Sequence, residues 1–87
     1  MFDLKNKKVI VTGATGGIGN AIIKCFVKNQ AKILATGTNE EKLKSLNDKY
    51  GNIITSKFDI SKHEEIEKFI EASSRILDGN PDILINN

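Results

Sequence analysis

Thr12-Gly13-Ala14-Thr15-Gly16-Gly17-Ile18-Gly19 is the stretch of this 87-residue sequence whose residue types and spacing point most directly to chemistry. It follows a β-branched run, Lys8-Val9-Ile10-Val11, and opens a segment with helical apolar spacing. Four glycines in seven residues let backbone N–H groups approach a ligand without Cβ clashes. A helix N-terminus at that point adds partial positive charge and unpaired donors, which together suit a phosphate. The bland alternative is a tight strand-to-helix turn, but the junction of a βαβ unit is where a phosphate site belongs. The candidate binding residues are therefore Gly13, Ala14, Thr15, Gly16, Gly17, Ile18 and Gly19. A mononucleotide P-loop needs Lys and then Ser or Thr after its last glycine. Asn20-Ala21 stands there instead, which excludes the kinase and GTPase reading. The spacing Gly13-x-x-x-Gly17-x-Gly19 also departs from the common G-x-G-x-x-G dinucleotide fingerprint.

The rest of the inventory is sparse. Cys25 is the only cysteine and His63 the only histidine, so neither a disulfide framework nor a metal site is expected. Cys25 falls within an apolar stripe and reads as a small buried hydrophobe rather than a reactive thiol. His63 reads as an exposed residue in the first turn of a helix, and Tyr50, the sole tyrosine, reads as helix packing. Thirteen basic residues against eleven acidic ones give a net charge of +2. The lysines are interleaved with Glu and Asp from Lys5 to Lys68, the pattern of a solvated surface and not of a nucleic-acid footprint. No apolar run approaches the roughly 18 residues of a membrane span. The N-terminus carries an early acid, Asp3, and does not read as a signal peptide. A cytoplasmic protein without nucleic-acid or membrane partners is the expectation.

The elements that must position the glycine loop alternate. Strand-like runs lie at Lys8–Gly13, Lys32–Gly37, Asn52–Phe58 and Asp82–Asn86. The first, second and fourth have unbroken apolar cores, as in parallel strands covered on both faces, while the third suits a sheet edge. Between them, Ile18, Ala21, Ile22, Cys25 and Phe26 form the predicted buried stripe of a first helix. A second helix spans about Glu40 to Tyr50, with Leu43, Leu46 and Tyr50 on one face. Thr38 and Glu41 are its predicted capping box and Gly51 its stop. A third spans about Lys62 to Leu77, with Ile66, Phe69, Ile70 and Leu77 on one face. Ser61 and Glu64 are its predicted capping box, and Asp78-Gly79-Asn80-Pro81 ends it. The order β-α-β-α-β-α-β with short connections predicts a parallel α/β sheet with right-handed crossovers.

The glycine loop resembles the T-G-x-x-x-G-x-G motif of the short-chain dehydrogenase/reductase family. Asp59-Ile60, beyond the third strand-like run, resembles that family's acidic-aliphatic pair beside the adenine. Asn86-Asn87 resembles the start of its N-N-A-G motif at the end of the fourth strand. The resemblance covers the whole chain, with the three motifs in the family's order. It implies a partial doubly wound, Rossmann-type parallel sheet over residues 1–87, with strand order 3-2-1-4, truncated after the fourth strand. The cofactor would lie in the crevice between strands 1 and 4, where the order reverses. Within the family, the loop and Gly37-Thr38-Asn39-Glu40-Glu41-Lys42-Leu43 look most like the bacterial 3-oxoacyl-acyl-carrier-protein reductases.

A nicotinamide dinucleotide is the implied partner. NAD-preferring folds place a carboxylate at the tip of the second strand to accept from the ribose 2′-OH. Here that tip is Gly37-Thr38, which favours NADP, with NAD the alternative. Many relatives carry a basic residue where this chain has Gly16. Thr38 offers a hydroxyl, Lys42 lies one turn on, and Glu40 and Glu41 oppose. The resemblance places Asp59 and Ile60 at the adenine and Asn87 near the ribose, and Asn86 is expected to tie the sheet's upper edge. The family's catalytic Ser, Tyr and Lys have no counterpart here: Tyr50 is followed by Gly51-Asn52-Ile53-Ile54, so no Y-x-x-x-K exists. The expectation is the NADP-binding half of a reductase, inactive as 87 residues. The acyl-carrier-protein substrate and a homo-oligomeric state belong only to a full-length parent. A non-catalytic binding or interaction module and a decayed gene product are the alternatives.

Overall fold

A computed structural model describes residues 4–59 and 61–86. Strand β1 (Lys8–Thr12) leads into helix α1 (Gly17–Lys28), then β2 (Lys32–Gly37), α2 (Glu40–Tyr50) and β3 (Ile54–Lys57). A 3₁₀ turn (His63–Glu65) precedes α3 (Ile66–Ile76), and β4 (Ile83–Asn86) follows. The sheet is parallel with order β3-β2-β1-β4. This is the predicted Rossmann-like arrangement, with β3 at one edge and the order reversing between β1 and β4.

The period of two along each strand divides the core. Val9, Val11, Ile33 and Ala35 face one side, where Ile23 of α1 and Leu46 of α2 cover them. Ile10 and Leu34 face the other, against Leu77 and Phe69 of the α3 segment. Register aligns Val9 with Ile33 and Ile83, and Ile10 with Leu34 and Leu84. Both faces of β1 and β2 are buried, which explains why their sequences are continuous apolar runs and not alternating ones.

Three local readings need correction. In α1 the buried residues are Gly19 and Ile23, with Ile22, Phe26 and Val27 partly buried; Ile18, Ala21 and Cys25 face outward. Ile18 is 70% exposed, and Cys25 is a free, exposed thiol rather than a core residue. The helix is apolar around most of its circumference, so periodicity does not select the inner face. Gly19 selects it: a Cβ there would sit 2.6 Å from the Gly13 carbonyl oxygen and 2.8 Å from Ala14 Cα. The side lacking a side chain turns inward, and the rest of the helix follows.

The other two corrections concern caps. α2 is capped by Asn39, whose Oδ1 accepts from the Lys42 N–H at 3.0 Å, and not by Thr38, which is exposed. Gly51, at φ 73°, ends α2 as predicted. Ser61 caps nothing: Asp59 Oδ1 accepts from both its N–H (3.0 Å) and its hydroxyl (2.7 Å). A carboxylate two residues upstream takes both donors in an Asx-type turn, and the chain then enters α3 through the 3₁₀ turn with no side-chain cap.

Candidate functional site

Parallel strands bring all their C-terminal ends to one edge of the sheet. The glycine loop after β1, Thr38 after β2, Asp59 after β3 and Asn86 at the end of β4 therefore share that edge. Ile60 and Asn87 lie outside the described residues.

The loop is fixed from beneath. The Ala14 N–H donates to the Thr36 carbonyl at 2.9 Å, tying the loop to β2, and Ala14 is fully buried. Gly13 takes φ 59°, a left-handed turn that glycine adopts without strain. Thr15 packs against Gly37, where an added Cβ would meet its methyl group at 3.2 Å.

Above this base the loop is open. Gly16 is the N-cap of α1 and provides no side-chain hydrogen bond. The first-turn N–H groups of a helix have no intrahelical acceptor, and none is supplied here by a capping side chain. A Cβ at Gly17 would meet nothing within 4 Å. The first turn of α1 carries no acidic residue, whereas that of α2 carries Glu40 and Glu41 beneath the Asn39 cap. Of these two helix N-termini on the same side of the sheet, only that of α1 is left unneutralised and uncapped. The donors, the space and the sign of the field suit a phosphate or pyrophosphate group, so the nucleotide that the sequence implies fits this loop.

The neighbouring residues occupy distinct positions. Thr12 Oγ1 lies 3.3 Å from the Ile85 carbonyl and 3.2 Å from Asn86 Oδ1, so β1 and β4 are joined at their upper ends through Asn86. The two hydrogen bonds from Ser61 hold the Asp59 carboxyl below its ordinary range, with Lys62 adding to the effect, so Asp59 is ionised at neutral pH. At the tip of β2, Gly37 is buried and Thr38 is exposed, with no carboxylate at either position.

One feature escaped the sequence reading. A cleft of about 190 Å³ separates the loop from α2, lined by Thr15, Asn20, Lys42, Ser45, Leu46 and Lys49. Its visible signal is the spacing 42-45-46-49, one flank of a helix. Tyr50 packs on the core beside it and donates its hydroxyl to Asn20 Oδ1 at 2.8 Å, in keeping with a packing role.

The fold and this edge define a four-stranded parallel α/β sheet of Rossmann-like type. The family model for short chain dehydrogenases matches residues 7–87, and the chain belongs to that family of oxidoreductases, which bind nicotinamide dinucleotides. It is 40% identical over 80 residues to the NADP-dependent 3-hydroxy acid dehydrogenase YdfG of Salmonella typhi, covering 91% of this chain and 32% of that protein. It is 39% identical over 92 residues to the 3-oxoacyl-[acyl-carrier-protein] reductase FabG of Rickettsia prowazekii, covering 100% of this chain and 34% of that protein. A short chain dehydrogenase crystal structure from Bacillus anthracis superposes with a TM-score of 0.87 at 33% identity, covering 99% of this chain and 36% of that one. The chain thus spans about a third of the length of the relatives it matches. The resemblance to 3-oxoacyl-acyl-carrier-protein reductases is one of several at similar identity.

Proposed function

We propose that these 87 residues are the NADP(H)-binding half of a reductase acting on a 3-oxoacyl group. The observation that carries the binding reading is the uncapped, acid-free N-terminus of α1 under an open glycine cradle. In this reading the loop from Gly13 to Gly19 holds the pyrophosphate, with the N–H groups of Gly17, Ile18 and Gly19 as donors. The ionised Asp59, beside Ile60, accepts from the exocyclic amine of the adenine. Thr38 lies by the adenosine ribose, where the missing carboxylate leaves a 2′-phosphate unrepelled. Asn87 offers backbone contacts near the ribose. When bound, the dinucleotide supplies the hydride.

The substrate class rests on the relatives. One is named for a 3-hydroxy acid and the other for a 3-oxoacyl group; both names place the oxygen on carbon 3. The 3-oxoacyl thioester of acyl carrier protein is the substrate we favour for the whole protein, working in the cytoplasm in fatty acid synthesis as a homo-oligomer. A free 3-hydroxy acid is the second reading, favoured by the 40% identity to a dehydrogenase of that specificity. No catalytic residue is assigned here, because no Y-x-x-x-K occurs.

The test is a calorimetric titration of the purified chain with NADPH and NADH, followed by an assay with a 3-oxoacyl thioester. NADPH binding tighter than NADH binding, with no turnover, is the expected result. Tighter NADH binding would overturn the cofactor choice, and measurable turnover would overturn the assignment of a binding half.

A further inference from the structure

The opposite edge of the sheet, where the strands begin, carries a cavity of about 430 Å³ walled by Asn6, Lys8, Gln30, Lys32 and Asp78 around the buried Leu77. Lys8 opens β1 and the glycine loop follows its end at Thr12, so the two regions lie about 13 Å apart along the strand. We infer that this cavity binds a small phosphate monoester that also carries hydroxyl groups, as a sugar phosphate does. Lys8 and Lys32 meet the phosphate, and Asn6, Gln30 and Asp78 meet the hydroxyls. The site is separate from the dinucleotide edge and does not depend on that reading.

Backbone conformation singles this cavity out. Among the described residues, Asn6 (φ 68°), Gln30 (φ 65°) and Asp78 (φ 58°) are the non-glycine residues with positive φ, and all three line it. Gln30 and Asp78 directly follow the C-caps of α1 and α3, where glycine is the usual left-handed residue. Asn and Asp tolerate this conformation, but Gln does not share that ease. Three polar side chains are thus held at positions better suited to glycine, around one concavity, and each adds hydrogen-bonding capacity to its wall.

Charge gives the sign of the ligand. Lys8 and Lys32 stand in register on adjacent parallel strands, which places like charges side by side. Neither ammonium has an ion-pair partner among the described residues. The Asp82 carboxylate is committed to the backbone, its Oδ2 accepting from the Lys8 N–H at 2.9 Å. Lys28 and Arg75, in the last turns of α1 and α3, complement the helix dipoles, but Lys8 and Lys32 begin strands and have no such role. Lys8 Nζ lies 2.9 Å from where a Cβ of Gly79 would stand, so the missing side chain there makes room for the ammonium. The helix carbonyls at this edge are occupied: Gln30 and Ala31 donate to Val27 and Phe26, and Asp78 and Gly79 to Arg75 and Ser74. Two ammonium groups on neighbouring strands suit a dianion. The Asp78 carboxylate on the same wall disfavours a ligand that is anionic throughout, such as a polyphosphate or a nucleic acid. With the amides of Asn6 and Gln30 it is instead an acceptor for hydroxyl groups.

The experiment titrates ribose 5-phosphate, glucose 6-phosphate and glycerol 3-phosphate into the 87-residue chain while its amide resonances are followed. At least one of the three is expected to shift Asn6, Lys8, Gln30, Lys32 and Asp78 and to leave Gly13 to Gly19 unmoved. It should bind about tenfold more tightly than inorganic phosphate, through the added hydroxyl contacts. Lys8→Gln and Lys32→Gln should each weaken it about threefold and the double variant about tenfold. Gln30→Gly should stay folded, because glycine takes φ 65° without strain, and should weaken it about threefold. Amide spectra that match unmodified chain away from the cavity establish that each variant is folded. No shift with any of the three compounds, or shifts centred on the glycine loop, overturns the inference. So does equal binding of inorganic phosphate, which would mark an adventitious ion only, or an affinity unchanged in the double lysine variant. The dinucleotide reading stands or falls separately, on the NADPH and NADH titration.

Discussion

At the residue scale the glycine loop contains two kinds of glycine that the sequence does not distinguish. Gly19 is a packing residue: its missing side chain lets α1 lie against Gly13 and Ala14 at 2.6–2.9 Å from where a Cβ would stand. Gly17 has nothing within 4 Å and is not needed for packing. Gly19→Ala should therefore destabilise the fold by about 1–3 kcal/mol, the usual cost of overpacking. Gly17→Ala should leave stability unchanged or raise it by a few tenths of a kcal/mol, since alanine is the better helix former. It should weaken nucleotide binding by about tenfold, because the new methyl group displaces one charge-assisted hydrogen bond to the pyrophosphate. Denaturant unfolding and NADPH titration of the two variants separate the roles. If Gly17→Ala binds NADPH as unmodified chain does, the N-terminus of α1 is not the pyrophosphate seat.

At the element scale the strands were legible and the helix orientations were not. Lys32–Gly37 is a strand in sequence and in structure alike, because β-branched and aliphatic runs buried on both faces leave no competing pattern. α1 defeated the same reasoning: Ile18, Ala21, Ile22, Ile23, Cys25, Phe26 and Val27 surround it, and the contact that selects its inner face belongs to a glycine, which hydrophobic periodicity does not register. The caps failed for a related reason. Thr38 and Asn39 are both good capping types, and Ser61 is one as well. Asn39 is the residue that meets the Lys42 N–H, and the Asp59 carboxylate removes Ser61 from contention. Of the candidate site, the loop and its edge of the sheet could be read, but the α2 flank could not, since it forms only where α2 packs beside Asn20. The cap yields a prediction. Asn39→Ala should cost about 1 kcal/mol of stability, while Thr38→Ala, at an exposed position without that bond, should stay within about 0.5 kcal/mol of unmodified chain. Thermal unfolding of both variants checks it, and a larger loss for Thr38→Ala would show that the cap had been assigned to the wrong residue.

At the scale of the whole molecule three helices cover β1, β2 and β3 more fully than β4. Leu84 stands in register with Ile10, yet Ile10 is 2% exposed and Leu84 is 61% exposed. Beside it lies an apolar cavity of about 280 Å³ walled by Ile10, Phe58, Phe69 and Ile70, among others, with Phe58 and Phe69 stacked at 4.1 Å. Ile70 is itself 48% exposed. A parallel sheet is ordinarily covered on both faces, and a contiguous apolar patch beside a sheet edge drives association. The 87-residue chain in isolation should therefore self-associate at micromolar concentration and bind a hydrophobic dye. Leu84→Lys should reduce both, because it places a charge in the patch at a position whose side chain is already mostly in water. It should leave nucleotide affinity unchanged, since the glycine loop follows β1 and makes its fixing contacts with β2. Sedimentation velocity with parallel NADPH titration reads both quantities. Association that persists undiminished in Leu84→Lys would move its cause away from the β4 face, for instance to the outward side of α1, where Ile18, Ala21 and Cys25 are exposed.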